Sequence, residues 1–131
     1  MLRIFGKESV KMMTHWTVGQ VRVENIKKLF PSAFMLIFET VSKRGIKILL
    51  TSERWNHIVM RHPEMEEYFE DLKEVLQNPS LLVQNAFDRA IIFYHKYYKE
   101  EKLYLVIVVE EEKGFILTAY TTNSPKQGER L

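Results

Sequence analysis

Residues 53–64 read Glu53-Arg54-Trp55-Asn56-His57-Ile58-Val59-Met60-Arg61-His62-Pro63-Glu64, which sets His57 and His62 among Arg54, Arg61 and Trp55. Imidazoles exchange protons near neutral pH, and guanidinium groups offer fork-shaped donors to a phosphate. That combination suits general acid–base chemistry beside an anionic substrate. A metal centre suits it less well. Five residues turn a helix by about 140°, so His57 and His62 do not share a face, and no third ligand follows at a familiar interval. Plainer readings stand beside the chemical one: His62 as a capping or core histidine, His57 as an exposed one, and both arginines as a solvated flank paired with nearby glutamates.

A second group is the tyrosine run Tyr94, Tyr97, Tyr98 and Tyr104, interleaved with Lys96 and Lys99. Tyrosines in strands are ordinary packing residues. With lysines beside them they also suit stacking of unpaired bases, the lysines meeting phosphates. There is no Gly-rich phosphate loop, nucleophilic serine elbow or paired-carboxylate signal.

The elements that must position these groups follow from periodicity. Thr51 or Ser52 caps a helix whose stripe is Trp55, Ile58, Val59 and His62. Arg54 and Arg61 project about 20° apart on a neighbouring flank, with His57 about 40° beyond Arg61. Pro63 breaks that helix and opens a second one, with an apolar face of Met65, Tyr68, Phe69, Leu72, Val75 and Leu76, stopped by Asn78-Pro79. Before them, 33–41 and 46–50 read as a hairpin through Ser42-Lys43-Arg44-Gly45. After them come strands over 81–84, 90–98, 103–110 and 115–122, the last three joined by tight turns. Alternation then puts Ile91, Phe93, His95, Val106, Val108, Phe115, Leu117 and Ala119 on a greasy face expected to meet the helices. It puts Tyr94, Lys96, Tyr98, Leu105, Ile107, Thr118, Tyr120 and Thr122 on a half-polar face expected to be open. Residues 18–30 read as a helix, and the polar tail 124–131 as a mobile segment.

The chain has 131 residues, which suits one domain, and its formal net charge of +2 gives no field strong enough to imply nucleic acid by itself. No apolar run nears the ~18 residues of a membrane span, and the N-terminus does not read as a secretory signal. Absence of cysteine removes thiol catalysis and suits a cytoplasmic protein.

Trp55-x-His57-Ile58 running into Arg61-His62-Pro63-Glu64, then Tyr97-Tyr98-Lys99, the strand 104–109 and Leu117-Thr118-Ala119-Tyr120 together resemble the phage- and prophage-associated branch of the BECR superfamily, which takes in barnase, EndoU, colicin-type and RelE-type RNases. The similarity spans about residues 46–128. It implies an α+β fold in one domain: two or three helices packed on one face of an antiparallel sheet of about four strands, in a core over 34–128 behind an N-terminal extension over 1–33. The resemblance further implies a metal- and cofactor-free endoribonuclease acting by attack of a 2′-hydroxyl on the adjacent phosphate. Its catalytic residues would be His57, Arg61, His62, Lys99, Thr118 and Tyr120. Arg54, Tyr94, Lys96 and Tyr98 would contact the substrate. The implied partner is RNA, with a cognate inhibitor protein in the case of a toxin-type member. The alternative is an inactive module of the same fold that binds single-stranded RNA or a protein.

Overall fold

The structure, a computed structural model, describes residues 35–131. The helix expected over 18–30 and the whole N-terminal extension over 1–33 lie outside the described residues. The described elements, in order, are β1 (Leu36–Val41), β2 (Lys47–Thr51), α1 (Ser52–Arg61), a 3-10 segment (Pro63–Asp71), α2 (Leu72–Gln77), β3 (Leu81–Gln84), β4 (Ile91–Tyr98), β5 (Leu103–Glu110), β6 (Phe115–Thr122) and β7 (Glu129–Arg130).

All seven strands form one sheet, in the order β1-β2-β6-β5-β4-β3-β7. This corrects the expected two or three helices on an antiparallel sheet of about four strands: the sheet is mixed, and among the described residues the helical part is two short α-helices and the 3-10 segment. The β1–β2 hairpin joins β6 in parallel through the pair Leu49 and Phe115, with the Leu49 N–H donating to Gly114 O at 2.9 Å. Gly114 makes the junction possible. Its φ is +75°, and a Cβ there would lie 2.5 Å from Lys47 O. At the far edge β7 pairs with β3, so the tail expected to be mobile is bonded to the sheet.

Helix α1 starts where the side chain of Thr51 accepts the Arg54 N–H at 3.3 Å. It stops at His62, whose non-helical backbone (φ −133°, ψ 75°) precedes Pro63. The continuous second helix expected from Pro63 is instead a 3-10 segment that becomes α-helical only at Leu72. Packing holds the segment: Met65 is fully buried, and Tyr68 meets Tyr98 edge-on at 5.3 Å.

The expected assignment of faces is reversed in β4 and β5, while in β6 Ala119 meets the helices and Thr118, Tyr120 and Thr122 face away from them, as expected. Trp55, Ile58, Val59, Met65, Leu72, Val75 and Leu76 share one core with Ile92, Tyr94, Leu105, Ile107, Val109, Ile116 and Ala119. Val83, Phe93, Val106 and Val108 form a separate cluster on the opposite face, flanked by Tyr104, Leu117 and Tyr120. Strand β5 is apolar on both sides, so alternation alone could not choose between them. Tyrosine decided it. The phenol of Tyr94 is fully buried, donates to Glu111 Oε2 at 2.8 Å and lies 2.8 Å from Ser42 Oγ. A phenol whose hydroxyl is satisfied packs like any large apolar ring. A bulge between Val108 and Val109 then shifts β6 by one residue, pairing Val108 with Thr118 and Val106 with Tyr120. No helix among the described residues is long and apolar enough to cross a membrane.

Candidate functional site

The reversal divides the expected site. Tyr94, Lys96 and Tyr98 alternate onto the helix-covered face, whereas Thr118 and Tyr120 lie on the opposite one. Tyr94 is interior and cannot meet a substrate. Burial, more than the Glu111 carboxylate beside it, pushes its phenol well above the usual tyrosine range. Tyr98 donates its hydroxyl to Asp71, and burial followed by that bond raises it likewise. Neither supplies a proton near neutral pH. Lys99 stays exposed in the β4–β5 turn, with β5 between its strand and β6.

What converges lies along the outer edge of β6, beyond the point where β2 leaves it. Arg54 Nη1 donates to Leu117 O at 3.1 Å, which fixes one flank of α1 against this edge and makes Arg54 a strut rather than a free substrate contact. His57 and Arg61 follow on the same flank at one-turn spacings, both exposed. His62, at the end of the helix, brings its ring to 5.5 Å from that of Tyr120, tilted by 36°. Its Nδ1 is 4.0 Å from Glu64 Oε2. The same oxygen accepts the Thr121 N–H at 3.5 Å and the Thr121 hydroxyl at 3.4 Å. The carboxylate therefore stands between the imidazole and the strand carrying Tyr120. Thr118 lies two residues before Tyr120 on the same face.

Past Tyr120 the surface falls into a cleft of about 510 Å³ between the β3–β4 turn and the segment after β6. Phe93 and Tyr120 line it with Thr122 and Lys126, and Phe87 stands on its rim, 99% exposed. Lys126 Nζ lies 5.0 Å above the Phe93 ring.

Beneath the cleft wall is a residue that periodicity left on a greasy face without a role. His95 is fully buried. Its Nε2 accepts the Lys126 N–H at 3.0 Å, and its Nδ1 lies 3.1 Å from Phe93 O. An acceptor at Nε2 requires the tautomer protonated at Nδ1, which then donates to Phe93 O. Burial lowers the pKa of His95, and Arg130 and Lys126 add to the effect. His95 fastens the tail. Phe87 also went unnoticed in the sequence, although a large aromatic inside the polar turn Asn85-Ala86-Phe87-Asp88-Arg89 was a usable signal. No cluster of three or more metal-ligating side chains is present among the described residues.

No family model matches the chain, and no curated protein sequence matches it significantly.

Proposed function

We propose that the chain is a metal-independent endoribonuclease working at the β6 edge. The observation that carries this reading is the His62–Tyr120 ring pair, two proton-carrying groups side by side with Thr118 on the same strand face and Arg61 next in sequence to His62. His62 takes the proton of a ribose 2′-hydroxyl, and the 2′-oxygen bonds to the neighbouring phosphorus. The bond from phosphorus to the 5′-oxygen breaks, and Tyr120 protonates the departing oxygen. Proton transfer through solvent resets both groups. The products are a 2′,3′-cyclic phosphate and a 5′-hydroxyl. Glu64 steadies the imidazolium as it forms. Arg61 and the Thr118 hydroxyl offset the charge growing on phosphorus. His57 contacts substrate from the helix flank. RNA as substrate and the absence of cysteine agree with a cytoplasmic site of action.

Cleavage of single-stranded RNA in EDTA is the test, with the cyclic phosphate identified by mass. His62→Ala should reduce the rate by about 100-fold or more. Unchanged cleavage by the His57→Ala, His62→Ala double variant would refute the assignment. One observation favours a second reading, in which the same surface binds single-stranded RNA without turnover. Lys96 lies under the helices and Lys99 at a distant turn, which leaves Arg61 as the expected cation nearest the ring pair in sequence. Tight binding with no product would select that reading.

A further inference from the structure

We infer that the cleft beside Tyr120 is a pocket for one unpaired base of single-stranded RNA, with Phe87 as its stacking platform. The inference rests on the RNA-directed reading above and adds a substrate-binding residue to it. A phenylalanine that is 99% exposed gains nothing from folding, so its place in the turn needs another reason. The turn holds it firmly. Asn85 Oδ1 accepts the Phe87 N–H at 2.7 Å and the Asp88 N–H at 3.0 Å, and Asp88 Oδ1 accepts the Ala90 N–H at 3.0 Å. The ring is thus presented to solvent on a fixed backbone, and little ordering remains to be done when a ligand stacks on it.

The chemistry around it selects the occupant. The cleft floor is Phe93 and one wall is Tyr120, but Asn85, Thr122 and Gln127 interrupt the apolar surface. A planar heteroaromatic ring with a hydrogen-bonding edge uses both features, its face on the phenyl ring and its edge on the amides and hydroxyls. Lys126, held over Phe93, supplies positive charge for the attached phosphate. The volume of about 510 Å³ falls within the range of ligand pockets. Because Tyr120 belongs both to the cleft and to the His62 pair, a base seated here places a neighbouring phosphodiester next to the proton-carrying rings.

The test uses a 5′-fluorescein-labelled hexauridylate with every ribose 2′-O-methylated, which binds but cannot be cleaved by 2′-oxygen attack. Anisotropy titrations compare the full-length wild-type chain with Phe87→Ala, Phe87→Leu and Phe87→Trp. The expected result is an affinity loss of at least about fivefold for Phe87→Ala and for Phe87→Leu, with Phe87→Trp retaining wild-type affinity. Equal affinity in wild type and Phe87→Ala overturns the inference, as does a wild type that fails to bind. Full affinity in Phe87→Leu also overturns it, because apolar contact without stacking would then suffice, as on a protein-docking surface. The two readings fail separately. Phe87-dependent binding with no cleavage of unmodified RNA removes the nuclease alone, whereas cleavage with Phe87-independent binding removes the base pocket alone.

Discussion

Replacing His95 by glutamine and lowering the pH on the wild-type chain should act on the same hydrogen bond. In the folded protein His95 is neutral, interior and accepting at Nε2 from Lys126 N–H. A proton added to Nε2 would turn that acceptor into a donor facing another donor, with Arg130 and Lys126 opposing the new charge. The folded pKa is therefore depressed below the 6.5 of a free imidazole, while the unfolded chain takes up its proton near 6.5. Stability from this site is fully present above pH 6.5 and is lost as the pH falls below it. The slope approaches ~1.4 kcal/mol per pH unit, which integrates to at most about 1 kcal/mol between pH 6.5 and 5.5. Urea unfolding of wild type and His95→Gln at pH 7.5, 6.5 and 5.5 measures it. The carboxylates and the other histidines contribute to both proteins, so the difference between the two curves isolates His95. Glutamine should cost about 1–2 kcal/mol at pH 7.5, because it loses the bond to Phe93 O, and the gap should then narrow as the pH falls. A gap that stays constant with pH would refute the account.

Three further outcomes follow from the geometry. Gly114→Ala should lower stability by about 2 kcal/mol in urea unfolding, because it combines a positive φ with a close approach to the Lys47 carbonyl. Arg54→Met should cost about 1 kcal/mol of stability by freeing Leu117 O, yet leave RNA affinity within about twofold, which separates a strut from a substrate contact. Tyr98→Phe should destabilise by about 1–2 kcal/mol by leaving Asp71 without its phenol donor, with no effect on RNA cleavage.

Where local chemistry dictates structure, the sequence was readable. Thr51 and the spacing of Trp55, Ile58 and Val59 announce α1, and His62-Pro63 announces its end. The turns around Gly45 and Gly114 delimit strands close to those observed. The harder features depend on partners far along the chain. Nothing local in Leu103–Glu110 says which of its two apolar sides meets the helices. Ser42, Glu111 and Asp71 decide that by satisfying tyrosine hydroxyls from distant positions. The β2–β6 junction rests on a single residue pair, and β7 is two polar residues with no strand pattern of their own. For the site, His62 and Tyr120 come together from a helix end and from β6, and nothing local to either residue announces the other. Lys96 does not join them because alternation put it on a face that the helices cover, and Lys99 does not because it sits in the turn after β4.

The irregularity opposite Val108 and Val109 makes β6 sensitive to length in a way that point substitutions do not reveal. Deleting Leu117, the unpaired residue, would leave the pairs regular and both faces unchanged, whereas adding a second residue beside it would put the following segment out of phase by half a pleat. The small methyl of Ala119 would then occupy the outer surface, and two hydroxylated side chains would be driven inward against Ile58 and Val59. Loss of one residue at this point is accordingly expected to be borne better than gain of one.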